Sequence, residues 1–122
     1  MFRKLGVRTT EGPKEYSFEA NGTTKIRYKQ LFHEDLQRAL DRLEPNSANY
    51  DTDGVDRLAF IMNMQAEKKD MSTLTQEDYM AWLEKLEGGA TALISTEIIN
   101  IYVGNTLSTS KAKNQEGPRP AK

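Results

Sequence analysis

From Lys14 to Tyr28, hydrophobic and polar positions alternate with a period of two: Tyr16, Phe18 and Ala20 share one side, and Thr24, Ile26 and Tyr28 repeat the pattern after Asn21-Gly22. This pattern predicts a β-hairpin. A two-residue Asn21-Gly22 loop sets Phe18 opposite Lys25, whereas a three-residue Ala20-Asn21-Gly22 loop sets Phe18 opposite Thr24 and Tyr16 opposite Ile26, with Gly22 left-handed at a bulge. The three-residue loop is therefore expected. Ahead of it, Phe2, Leu5 and Val7 give no sustained period among Gly6, Gly12 and Pro13, so residues 1–13 read as a loose lead-in.

The period then lengthens to that of a helix. Phe32, Leu36, Ala39, Leu40 and Leu43 share one face, predicting a first helix over about Leu31 to Glu44 that stops before Pro45. A second helix, from about Gly54 to Lys69, carries two apolar stripes: Val55, Leu58, Ala59, Met62 and Ala66 on one side, and Phe60, Met64 and Met71 roughly opposite. A central helix packed on both sides accounts for this, and so does a second stripe that receives a partner on adaptable methionine.

The third helix is the most legible. Thr75 and Asp78 form an aspartate version of a capping box, Tyr79, Trp82, Leu83 and Leu86 share one face, and Gly88-Gly89 ends the run. The fourth, from about Ala90 to Ser108, again has two stripes: Ala90, Ile94, Ile98, Ile101 and Tyr102, and then Ala92, Ile99 and Val103. After it, residues 109–122 lack apolar period, contain Gly117, Pro118 and Pro120, and read as a disordered basic tail. The fold class expected is mainly α within an α+β plan: one domain over residues 14–108, an N-terminal β-hairpin followed by about four packed helices. Its core is expected around Phe18, Leu36, Leu40, Leu58, Met62, Trp82, Leu83, Leu86, Ile94 and Ile98.

Composition narrows the function. With 122 residues, 37% of them hydrophobic and 29% charged, the chain supports one modest core and a well-hydrated surface. Its longest apolar stretch, Ala90 to Val103, is broken by polar residues and is too short to span a bilayer; with no signal-like segment, a cytoplasmic location is expected. The net charge of −1 conceals an uneven distribution. Residues 1–30 hold seven Lys/Arg against three Asp/Glu, residues 31–87 six against thirteen, and residues 88–122 four against two. An acidic middle repels phosphate backbones, so nucleic-acid binding is not the main expectation. The alternative function, a small nucleic-acid-binding regulator, would use Arg3, Lys4, Arg8, Lys25, Arg27 and Lys29 on a basic hairpin.

Catalytic chemistry is sparse. The absence of cysteine removes thiolate nucleophiles, thiolate metal sites and disulfides. His33, the one histidine, sits at the edge of the first helical face with no nucleophile near it and reads as a boundary residue. Asn49 to Gly54 matches the first half of a calcium-binding loop, but Phe60 stands where the bidentate glutamate is required. A polar loop with Asp53 capping the next helix is the plainer account. No enzyme activity, cofactor or metal is expected.

Three segments carry a family resemblance. RLAFIMNMQAEK (Arg57 to Lys68), TQEDYMAWLEKLE (Thr75 to Glu87) and STEIINIYVGNTLSTSKAK (Ser95 to Lys113) resemble the tail assembly chaperones of long-tailed bacteriophages. The resemblance implies a small, non-catalytic helical protein that binds the tape-measure protein, keeps it soluble and helps recruit tail-tube subunits (the major tail protein). It also implies work in the host bacterial cytoplasm and absence from the mature virion. That family supplies no fixed site residues; the apolar pattern instead nominates Phe60, Met64, Ile99 and Val103 for client contact, or for contact between copies in a homo-oligomer.

Overall fold

The computed structural model describes residues 1–43 and 53–114, with side chains described as far as Gly104. Strands β1 (Phe2–Thr9) and β2 (Gly12–Glu19) form an antiparallel hairpin, paired from Phe2 with Glu19 to Thr9 with Gly12. Helices α1 (Thr24–Phe32) and α2 (Leu36–Asp41) lead to α3 (Asp53–Ala66), which is followed by a short 3-10 turn, Met71–Thr73. Then come α4 (Gln76–Glu84), α5 (Ala90–Leu93) and α6 (Ser95–Asn114). An N-terminal hairpin followed by packed helices is the architecture that the hydrophobic pattern predicts.

The hairpin itself uses different residues from those expected. Residues 1–13 are not a loose lead-in but contain all of β1, whose Leu5, Val7 and Thr9 point into the domain. The turn is Thr10-Glu11, and Gly12, at φ +102, supplies the left-handed backbone there. Asn21-Gly22 opens a helix instead. The Asn21 side-chain oxygen accepts the Thr23 N–H at 2.8 Å, and the Thr24 hydroxyl accepts the Asn21 N–H at 2.9 Å, so the chain turns directly into α1. Gln65 of α3 locks this corner: its carboxamide accepts from Thr24 at 2.8 Å and donates to Thr23 at 2.9 Å. Thr24 and Tyr28 are buried one helical turn apart, whereas Ile26 is 49% exposed; the two-residue alternation over this segment is coincidental.

The first predicted helix is thus two. His33, at φ 55, ends α1 as its N–H bonds to the Lys29 carbonyl, and Asp35 caps α2 by accepting the Arg38 N–H at 3.1 Å. The expected stop at Glu44 and the calcium-like residues 49–52 lie outside the described residues. At the start of α3, Asp53 and Asp56 occupy the first turn, where negative charge suits the helix dipole. Gly54 packs so closely on α2 that an added Cβ would lie 3.3 Å from the Ala39 Cβ.

Helix α3 is the centre of the fold. Val55, Leu58, Ala59, Phe60, Ile61, Met62 and Met64 are all buried, between the hairpin, α1, α4, α5 and α6. Of the ten expected core residues, Phe18, Leu36, Leu58, Met62, Trp82, Leu86 and Ile98 are buried, and Leu40, Leu83 and Ile94 pack on the core's margin. Helix α4 begins with the expected capping box: the Thr75 hydroxyl accepts the Asp78 N–H at 3.2 Å, and the Asp78 carboxylate accepts the Thr75 N–H at 2.9 Å. It ends earlier than Gly88-Gly89 because residues 85–87 pair with β1, through Thr10 N–H to the Lys85 carbonyl (3.0 Å) and Glu87 N–H to the Arg8 carbonyl (3.1 Å). The last predicted helix is interrupted at Ile94, dividing it into α5 and α6, and α6 runs to Asn114. Residues 115–122 lie outside the described residues.

Candidate functional site

The four residues nominated for client contact separate into two pairs. Phe60 is 1% exposed, with ring centroids 5.4 Å from Tyr79 and 5.5 Å from Trp82. Met64 is buried as well. Both belong to the core, since α4 covers the second stripe of α3, and neither offers a surface to a partner; Met71 lies in the short 3-10 turn rather than on that stripe. Ile99 and Val103 are different. They stand one turn apart on α6 and are only half-buried, while Ile98 and Ile101 of the same helix are fully buried. Beside Ile99 lies a groove of about 460 Å³ whose apolar lining comes from Leu43, Val55 and Ala92.

The basic hairpin of the alternative reading is not assembled. Arg3, Lys4 and Arg8 are on β1, but Lys25, Arg27 and Lys29 are on α1, and Arg8 pairs with Glu87 at 3.2 Å.

A second cleft, larger than the groove beside Ile99, is polar and was not anticipated from the sequence. It measures about 1070 Å³ and lies among the end of α1, the start of α2, Arg57 of α3 and the start of α4. Its wall is a connected network. The Tyr28 hydroxyl donates to Glu34 at 2.8 Å and accepts from Arg57 Nε at 3.0 Å, Arg57 Nη2 reaches the same carboxylate at 3.3 Å, and Arg42 pairs with its other oxygen. Burial pushes the Tyr28 hydroxyl up to about 12. For Glu34, burial acts upward, but the Tyr28 hydroxyl and the two arginines outweigh it and hold the carboxyl below its ordinary value.

This network carries a pH dependence of known sign. A carboxyl whose pKa is lower folded than unfolded contributes stability that is complete above the unfolded value and is lost as pH falls through the folded one. Thermal unfolding measured across the acidic range is therefore expected to show a declining midpoint below the usual glutamate pKa, with a shallower decline in Glu34→Gln. Equal slopes in the two proteins would remove Glu34 from that role.

Among the described residues, no group of three or more His, Asp or Glu side chains is placed to hold a metal ion, and no helix is long and apolar enough to cross a membrane. Comparison of the chain with protein-family models, curated sequences and solved structures finds no match.

Proposed function

We propose that this protein is a non-catalytic phage tail assembly chaperone that binds the tape-measure protein, keeps it soluble and helps recruit the tail-tube protein. The observation that carries the reading is the pair Ile99 and Val103, left only partly buried at helical spacing on α6 after Ile98 and Ile101 have entered the core. Such a stripe suits a long amphipathic helix, whose apolar face otherwise aggregates. The segment Ser95 to Lys113, one of the three that resemble the chaperone family, coincides with α6, Ser95–Asn114. Phe60 and Met64 are no longer part of the proposed contact. The protein is proposed to act in the host cytoplasm and to be absent from finished virions, and self-association through the same stripe is the competing use of that surface.

Co-expression tests this directly. The tape-measure protein of the same phage is expected in the soluble fraction with the wild-type chain and in the pellet with the Ile99→Asp, Val103→Asp double variant. The variant's own folding is monitored by circular dichroism, because Ile99 also packs on the margin of the core. A client equally insoluble with and without the wild-type chain would contradict the reading.

A further inference from the structure

The polar cleft beside α1 holds groups that the core does not account for. Tyr79 is 8% exposed, its ring fixed 5.0 Å from Phe32 and 5.4 Å from Phe60, and it lines the cleft. Among the described residues no group makes a hydrogen bond to its hydroxyl, and the residue borders the open cleft. Lys29 and Arg38 line the same cleft, are exposed, and make no ion pair among the described residues. Of the carboxylates that line the cleft, Glu34 holds Arg42 and Arg57 and Asp35 caps α2, while Asp56 and Asp53 at the start of α3 also act on the Tyr79 hydroxyl.

We propose that this cleft binds an acidic peptide segment of a partner protein, one carboxylate accepting a hydrogen bond from the Tyr79 hydroxyl while Lys29 and Arg38 supply the attraction. A protonated phenol is required; an ordinary tyrosine is already protonated at neutral pH, and burial together with Asp56 raises the Tyr79 hydroxyl further, so it can donate at physiological pH. A peptide fits better than a polyphosphate. Glu34 and Asp35 interrupt the positive lining and repel a dense polyanion, whereas a peptide spaces its carboxylates and can lay apolar side chains on Phe32. At about 1070 Å³ the cleft exceeds the needs of a single small anion.

None of these residues belongs to the α6 stripe, and the inference stands without the tail-assembly reading. The test is fluorescence anisotropy with a labelled peptide of Glu, Ala and Leu, its Lys-for-Glu counterpart, and inorganic triphosphate as competitor. The wild-type chain is expected to bind the Glu peptide in preference to the Lys peptide. Affinity should weaken about tenfold in Tyr79→Phe, which keeps the ring packing and deletes only the hydroxyl. Lys29→Glu combined with Arg38→Glu, both at exposed positions where folding is tolerant, should abolish the preference for the Glu peptide. Ile99→Asp with Val103→Asp should leave it intact. No binding of the Glu peptide, equal binding of both peptides, unchanged affinity in the cleft variants, or stronger binding of triphosphate would each overturn the proposal.

Discussion

Trp82→Ala is expected to lower the unfolding free energy by about 3–5 kcal/mol, as for other buried large aromatic side chains cut to alanine. Trp82 is 8% exposed, and its ring lies at an edge-on angle to both Phe60 (5.5 Å) and Tyr16 (6.2 Å), so it joins α4 to α3 and to the hairpin. Removing it opens a cavity between three elements that cannot all close on it. Chemical denaturation with an unchanged slope and a much lower midpoint is the expected record. A near-wild-type midpoint would mean that the ring does not hold these elements together.

The second large effect is at a polar residue. Asn63 is 1% exposed on α3; its side-chain oxygen accepts from Trp82 Nε1 at 2.9 Å, and its nitrogen donates to the Ser17 carbonyl at 2.8 Å. Asn63→Ala leaves the buried indole N–H without its partner and takes the donor from the part-buried Ser17 carbonyl, at a cost on the order of 3 kcal/mol. Coupling distinguishes this from simple loss of packing. In a double-mutant cycle with Trp82→Phe, which removes the N–H that Asn63 satisfies, the two costs should sum to more than the double variant's cost. Strict additivity would show that the Asn63–Trp82 hydrogen bond contributes nothing separable.

Long apolar periods were legible, and local turn chemistry was not. Residues 54–66 and 76–84 combine helical spacing with clear start signals, and both are helices with the expected faces inward. Strand β1 was hidden because Phe2, its largest apolar residue, has the wrong parity: it points out at 52% exposure, while the inward set is Leu5, Val7 and the polar Thr9. The Asn21-Gly22 error arose from a signal with two outcomes. Asn-Gly favours a hairpin, but Asn21 also accepts from Thr23, and Gln65, more than forty residues away in sequence, supplies the buried partner that settles the segment as α1.

The site residues follow the same division. Two apolar stripes on one helix mean either a partner or burial on both sides, and only tertiary packing separates these. Helix α4 covers Phe60 and Met64, whereas Ile99 and Val103 stay only partly buried. The polar cleft gave no sequence signal because Tyr28, Glu34, Arg42 and Arg57 come from different elements and look, one by one, like ordinary surface or boundary residues.

On the proposed tail-chaperone function, the most direct measurement is an affinity pull-down of the tagged protein from cells expressing the late genes of the phage that this function implies, read by mass spectrometry at low and high salt. The account predicts that the tape-measure protein is recovered with the wild-type chain at both salt concentrations, because an apolar helical contact is only weakly screened, and is lost with Ile99→Asp, Val103→Asp. Recovery of nucleic acid alone, and only at low salt, would contradict it.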